Sequence, residues 1–361
     1  MRIVICVNRL TGGGAERVAS LWIKGFVEQG HSVDVVMSSS IDPVTYEIPA
    51  NVGIHKIDSR FSNRFIRIIH NLFFKSICLK KILTTINPNV VITVMPEWIP
   101  LIDKICPHRT FKLISTEHSA FEHPTDALIS SDLYMHKFES NKKADVVTVL
   151  TNSDKICIGS RLDNVVVLPN PLTYKPVEVM PSKDPFVLAV GRLDGWYVKG
   201  FDILINAWAK IANDFPTWKL VIAGGGRLEN KERLEILCEE LNVSSSVEFV
   251  GFVDPLSYYL KASIFVLSSR YEGFGMVLTE AMSQGCACVA CDWRGRQADI
   301  ISNDKEGILC RPNDINDLAY AISRLIKDSN FRKLIQHQAI IKSKEYELDV
   351  IMNQWNTILN N

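Results

Sequence analysis

The sequence predicts an α/β protein built of two Rossmann-like domains facing one another across a cleft. Three observations lead there. Short β-branched apolar runs alternate with helical stretches along the chain. A proline-bearing stretch, LPNPL at 168–172 with Pro176 and Pro181 beyond it, interrupts that alternation, which then starts again. The 361 residues are too many for one ordinary core and suffice for two domains of about 150–200 residues each.

The first run, MRIVICVN (1–8), is followed by glycines at 12–14, a helical stretch over 15–29 closed by Gly30, and a second strand, His31–Met37. Strand, loop, helix, strand is the repeating unit of a parallel sheet. Further strand runs are Val90–Met95, Lys112–Ser115, Val146–Leu150 and Val165–Leu168. Beyond the linker, strand 185–191 precedes helix 200–213, and 218–226 is a strand entering a glycine turn. Helix 229–241, strand 246–252, helix 254–261, strand 263–269, helix 276–284 and strand 286–292 follow, and amphipathic segments close the chain. The expected domains are 1–171 and 172–344, with a last helix at about 345–361 crossing back to the first.

Composition narrows the function classes. Forty basic residues balance forty acidic ones, so no global field selects nucleic acid. Residues 1–172 carry 19 Lys/Arg against 16 Asp/Glu, a mild basic excess that the remainder offsets. The nine cysteines show neither paired C-x-x-C spacing nor a matching histidine pair, against a disulfide framework or zinc module. Cys286, Cys288 and Cys291 cluster, but in a run that reads as a buried strand using cysteine as a small apolar residue. The amino terminus does not read as a signal peptide, and no apolar stretch of about 18 residues occurs. A cytoplasmic protein is expected.

Three loops carry chemistry. In Thr11-Gly12-Gly13-Gly14-Ala15-Glu16-Arg17, glycines between a strand and a helix let backbone amides approach a phosphate. A nicotinamide fingerprint is disfavoured, because Arg17 stands where its third glycine belongs. In the second loop, Gly191-Arg192-Leu193 is followed by Lys199-Gly200 at the mouth of a helix. An Arg fork and a Lys point charge at a strand's carboxyl end can neutralise a diphosphate as a leaving group gains charge. In the third, Glu272-Gly273-Phe274-Gly275-Met276 leads into a helix bearing Glu280. The turn can fold both carboxylates toward one pocket, where each can accept from sugar or ribose hydroxyls.

These pieces, GGGAER (12–17), EHS (117–119), PNP (169–171), GRLD with KG (191–194, 199–200), AGGG (223–226), VGF (250–252) and YEGFGMVLTEAMSQG (271–285), together resemble glycosyltransferase family 4 along nearly the whole chain. The last piece, with its Glu-x7-Glu, is the most specific. The resemblance implies a GT-B fold, a retaining mechanism, and a nucleotide sugar, here a UDP-sugar, held mainly by the second domain while a glycan acceptor meets the first. It implies no metal and no cofactor beyond that co-substrate.

By position, Arg192 and Lys199 would bind the diphosphate beside Gly191, and Glu280 the ribose hydroxyls. Glu272, with the amides of Phe274 and Gly275 between Gly273 and Met276, would hold the transferred sugar. Phe252 and the turn with Gly224 and Gly225 would lie along the base. Gly13 and Gly14 would approach the phosphates from the first domain. His118 would sit over the sugar near the reacting bond, as a hydrogen-bonding group rather than an independent base. His118, Arg192, Lys199 and Glu272 are therefore the expected catalytic set. Where the family commonly shows a glycine pair and a Glu, this chain has Trp293-Arg294-Gly295-Arg296-Gln297-Ala298-Asp299.

Residues 60–83 form an aromatic, basic helical segment. At 100° per residue, Phe61, Phe65, Ile68, Ile69 and Leu72 share one face, and Arg60, Arg64, Arg67 and Lys75 the opposite arc. Such a segment suits either a core helix with a solvated side or a peripheral contact with anionic lipid, which would serve a lipid-linked acceptor in surface polysaccharide or lipopolysaccharide assembly. Two rivals remain: a nucleotide-sugar epimerase on the same fold, and a donor-binding subunit without turnover.

Overall fold

The computed structural model describes residues 1–38, 43–57, 64–121 and 131–360, with 64–73 and 131–135 described by backbone alone. The chain forms two compact units, Met1–Thr173 with Leu348–Asn361, and Tyr174–Glu347.

Valine, isoleucine and threonine crowd the strand runs of the first unit because their branched Cβ favours extended backbone and packs on a pleated surface. The runs become β1 (Arg2–Val7), β2 (Ser32–Met37), β3 (Gly53–Lys56), β4 (Val90–Val94), β5 (Lys112–Thr116), β6 (Val146–Val149) and β7 (Val165–Val167). They lie in the order β3-β2-β1-β4-β5-β6-β7, every pair parallel. Ile3 pairs with both Val33 and Val90, and β1 is buried from Ile3 onward. Burial on both faces is why it reads as an unbroken apolar run rather than an alternation.

The final helix, Leu348–Asn360, belongs to this unit. Trp355 is wholly buried, edge-on to Trp22 at 5.1 Å and to Phe26 at 5.4 Å. Lys112 Nζ donates to the Ile358 carbonyl at 2.6 Å, capping the last turn of the helix.

The second unit contains β8 (Asp184–Val190), β9 (Lys219–Ala223), β10 (Val247–Gly251), β11 (Ala262–Leu267), β12 (Ala287–Cys291) and β13 (Gly307–Cys310). Their order is β10-β9-β8-β11-β12-β13, again all parallel. Trp208, Phe201 and Phe265 are among its largest fully buried side chains. Cys286, Cys288 and Cys291 are buried in and beside β12. Burial pushes their thiols up, Cys286 to about 11 and Cys291 to about 12, so they behave as small apolar residues.

Two strands were absent from the sequence reading. GIHK of β3 is half exposed and too short to show an apolar run, and GILC of β13 follows directly on a turn. The basic segment at 60–83 is helical over Arg64–Ile86. Arg60 and Phe61 lie outside the described residues, and Arg64, Phe65, Arg67, Ile68, Ile69 and Leu72 are described by backbone alone. Among the described residues no helix is long and apolar enough to cross a membrane.

Candidate functional site

In each sheet the strand order reverses once, between β1 and β4 in the first unit and between β8 and β11 in the second. Ligands of open parallel sheets bind beyond the carboxyl ends of the strands at such a reversal. The loops following β1, β5, β8, β9, β10 and β11, at or beside those reversals, lead to the residues singled out above.

In the first unit, the loop after β1 turns at Gly12, whose φ of +75° suits glycine. Gly13 heads the helix Gly14–Glu28. A Cβ on Gly13 would lie 1.9 Å from Glu16 Oε2, so a side chain there would collide with this carboxylate. Glu16 is held in turn by Arg9 Nε at 3.1 Å. An acidic group in the first turn favours the positive end of the helix dipole. At the end of β4, Met95 has φ +79° and ψ 151°, a backbone region that side chains avoid. Its N–H donates to the Thr116 carbonyl at 3.0 Å.

His118 stands two residues beyond β5. The Thr116 hydroxyl donates to the Thr93 carbonyl at 2.9 Å, which leaves its oxygen to accept from His118 Nε2–H at 3.0 Å. That arrangement selects the tautomer with a lone pair on Nδ1. Burial lowers the His118 pKa to about 4, slightly opposed by the Asn170 side chain. His118 Nδ1 and Asn170 Oδ1 are both buried, and neither makes a hydrogen bond among the described residues. Asn170 is thus near enough to favour a protonated ring yet outside hydrogen-bonding geometry. The ring packs against Trp22, with centroids 5.2 Å apart.

Beside it, Glu117 is buried, accepting from Asn141 Nδ2 at 2.7 Å and paired with Lys137 Nζ at 2.8 Å. Burial pushes its pKa up and Lys137 opposes this. The pair pins the Glu117–His118 segment to the helix Ser131–Asn141.

In the second unit, Lys199 Nζ lies 2.5 Å from Glu272 Oε1, which also accepts from Ser269 Oγ at 2.9 Å. The Lys199 backbone is clamped to the loop after β11. Ser268 Oγ donates to the Lys199 carbonyl at 2.9 Å, and the Arg270 N–H donates to the Val198 carbonyl at 2.8 Å. The Arg270 guanidinium forks Asp202 at 2.7 Å on both oxygens and stacks on Tyr197 at 3.9 Å. Gly200 has φ +64°, and a Cβ there would meet the Ser268 carbonyl oxygen at 2.0 Å.

Arg192 is exposed, and its guanidinium makes no hydrogen bond or ion pair among the described residues. The next loop residue but one, Asp194, accepts from the Arg227 N–H at 2.8 Å and Asn230 Nδ2 at 2.9 Å. Those bonds, the Arg227 amide foremost, hold its carboxyl below the usual range.

The glycine turn after β9 has a structural reason of its own. A Cβ on Gly224 would sit 1.8 Å from the Gly191 carbonyl oxygen, and one on Gly225 would lie 3.0 Å from Phe252 Cβ. The Phe252 ring itself is 91% exposed, unusual for phenylalanine. Gly275, at φ +82°, caps the helix Met276–Ser283. Phe274 is buried against Tyr346, so its ring belongs to the core, and Gly273 and Met276 beside it are half-buried. Glu280 is only 3% exposed, and its Oε2 accepts from the Tyr259 hydroxyl at 3.0 Å.

The divergent segment sits beside this loop, with Trp293 and Tyr271 rings 6.0 Å apart. Arg296 is fully buried, its guanidinium 4.3 Å from the Trp293 ring centroid. Gln297 Oε1 accepts from the Trp293 N–H at 2.9 Å, and Asp292 Oδ1 from the Gln297 and Ala298 amides at 3.0 and 3.1 Å. The segment is a self-bonded turn rather than a glycine loop.

The structure therefore brings Lys199, Glu272 and Ser269 into direct contact, with Arg192, Glu280, Phe252 and the glycine turn at the same strand edge. His118, Gly13 and Gly14 stand at the corresponding edge of the other sheet. Sequence reasoning missed Thr116, Glu117, Lys137, Asn170, Ser269 and Tyr259. Glu117, Asn170 and Ser269 lay inside or next to motifs already noted, whereas their partners are set by tertiary packing.

Two parallel-sheet, Rossmann-like units bearing these loops define the GT-B class of glycosyltransferases. Residues 12–173 match the model described as Glycosyltransferase Family 4, and residues 172–342 the model described as Glycosyl transferases group 1. The chain belongs to this glycosyltransferase family.

One relative, from Campylobacter jejuni subsp. jejuni, is 28% identical over 96% of each chain. Its name is N-acetylgalactosamine-N,N'-diacetylbacillosaminyl-diphospho-undecaprenol 4-alpha-N-acetylgalactosaminyltransferase. Among solved structures, sucrose-phosphate synthase from Thermosynechococcus elongatus superposes with a TM-score of 0.83 at 22% identity, covering 99% of this chain and 98% of its own. Anabaena HepE, in complex with UDP and glucose, gives 0.78 at 18% identity, covering 100% and 99%.

Proposed function

We propose that this glycosyltransferase moves a hexose-type sugar from a UDP-sugar to a lipid-linked glycan, with retention of anomeric configuration and without a metal. The observation that carries this reading is the Lys199–Glu272 pair at 2.5 Å, beside the untied Arg192 at the strand reversal of the second unit.

A diphosphate that arrives there offers Lys199 a stronger partner than one carboxylate. Lys199 and Arg192 take the phosphates, and Glu272 is released to accept from the hydroxyls of the transferred sugar, beside the amides of Phe274 and Gly275. As the sugar–phosphate bond breaks, the two cations offset the charge gained by the departing nucleotide. Phe252 offers its exposed ring to the base. Glu280, oriented by Tyr259, offers its small exposed portion to the ribose. In the first unit, neutral His118 and the amides of Gly13 and Gly14 offer hydrogen-bonding groups at the carboxyl edge of its own sheet.

Two relatives support the finer choices. The Campylobacter relative's name specifies an α-linked transfer onto a diphospho-undecaprenol saccharide, and HepE was crystallised with UDP. A peripheral membrane contact fits such an acceptor. Near the basic helical segment, Phe74 is 38% and Ile77 67% exposed, with Lys75 between them.

The test is thermal stabilisation by UDP, GDP, ADP and dTDP on wild type and Lys199→Ala, together with turnover assays. A nucleotide at about 100 times its Kd adds about 2.7 kcal/mol. Stabilisation by UDP alone, lost in Lys199→Ala, is expected. Lys199→Ala and Glu272→Ala are expected to lower turnover by about 10²-fold or more while the unliganded Tm stays near wild type. Near-normal turnover in either variant removes the site assignment, and donor turnover without acceptor would indicate an epimerase.

A further inference from the structure

A second basic feature of the Tyr174–Glu347 unit lies at the opposite end of its strands. Just before β8 and at the start of β11, Lys183 and Ser263 line a cavity of about 390 Å³, together with Arg332, Lys333, Gln336 and His337 of the helix Ser329–Ser343. That volume suits a small ligand. The polar lining is basic, with Lys183, Arg332, Lys333 and His337 and no carboxylate.

Lys183 carries most of the weight. Its ammonium is half-buried and donates to the carbonyls of Tyr259 at 2.8 Å and Gln284 at 2.7 Å. No described acid forms an ion pair with it, and burial lowers its pKa. Arg332 repeats the pattern, donating to the Leu325 and Ile326 carbonyls at 2.5 and 3.1 Å while burial lowers its pKa too. The acid that acts on it, Asp328, already accepts from the Phe331 N–H at 2.9 Å. Two partly desolvated cations on one cavity whose lining holds no carboxylate are a costly arrangement that an anion would relieve.

We propose that this cavity is an anion site for a phosphate group, carried on a small molecule or on a phospholipid headgroup, and that it is separate from the donor site. Lys183 and Arg332 supply charge where water is scarce, and each retains further N–H groups. Lys333 and His337, exposed on the same helix face, form the rim. Gln336 is buried and donates from Nε2 to the Ser263 carbonyl at 3.0 Å, which fixes the helix over the strand ends.

The test titrates inorganic phosphate by calorimetry into wild type, Lys199→Ala and the double variant Lys333→Glu/His337→Glu. The same proteins are floated with phosphatidylglycerol vesicles, phosphatidylcholine serving as control. The rim residues are exposed, so the double variant leaves intact the carbonyl bonds of Lys183 and Arg332. Phosphate binding that survives Lys199→Ala and weakens about tenfold or more in the double variant assigns a free phosphate ligand. Flotation with phosphatidylglycerol that is lost in the double variant, without phosphate binding, assigns a headgroup. The proposal is overturned if the double variant binds both as wild type does, if wild type binds neither, or if Lys199→Ala alone abolishes phosphate binding.

Discussion

His118 shows how one side chain's chemistry is decided by neighbours remote in sequence. Thr116 takes its Nε2–H, Trp22 covers its face, and burial lowers its pKa from 6.5 to about 4. The consequence for stability has a definite sign. Between pH 6.5 and 4 the unfolded chain binds a proton at this position and the folded chain does not, so stability falls as the pH falls through that window. His118→Gln removes the contribution. Urea unfolding midpoints measured from pH 7 to pH 4 are expected to fall less steeply in the variant, and identical slopes would mean that His118 is not held neutral. In the sequence His118 was visible as a cleft-edge histidine because EHS follows a strand. The buried Glu117–Lys137 pair and the Asn170 side chain beside it were not, because neither Lys137 nor Asn170 is near enough in sequence for spacing to connect them.

At the scale of elements, the loops after β8, β9 and β11 interlock through backbone, and glycine marks each close approach. Gly200 combines a left-handed φ with a Cβ position 2.0 Å from a carbonyl oxygen. Gly200→Ala is therefore expected to cost about 1–2 kcal/mol from backbone conformation alone, with the collision added, and to displace Lys199. Gly195→Ala is the control, since its φ is −103° and its Cβ would meet Lys199 Cγ at an ordinary 4.0 Å. A lowered Tm and lost turnover in the first variant, against near-normal values in the second, are the expected pair. Equal behaviour would refute the interlock. Most strands of both sheets were legible because buried parallel strands leave unbroken runs of valine and isoleucine. The half-exposed β3 left no such run. The AGGG turn was legible as a ligand loop, yet its first glycine is also required by the Gly191 carbonyl, a contact that sequence spacing cannot reveal.

For the whole molecule, the domain count followed from length and the proline stretch, but the membership of the last helix rests on packing. Trp355 is wholly buried against Trp22 and Phe26, and a Cβ on Gly25 would collide with Met352. Trp355→Ala is expected to destabilise the first unit by about 3–5 kcal/mol, read as an earlier urea transition. A loss below about 1 kcal/mol would show that the helix is dispensable. The route of the chain has a further result for its birth on the ribosome. The strands of the first unit are translated early, yet the helix that covers Trp22 and Phe26 is translated only after all of Tyr174–Glu347. Throughout that interval the nascent protein carries an uncovered aromatic face, the kind of surface that chaperones engage. A stop codon anywhere in the second unit would thus leave the first one unfinished, even with its seven described strands already made.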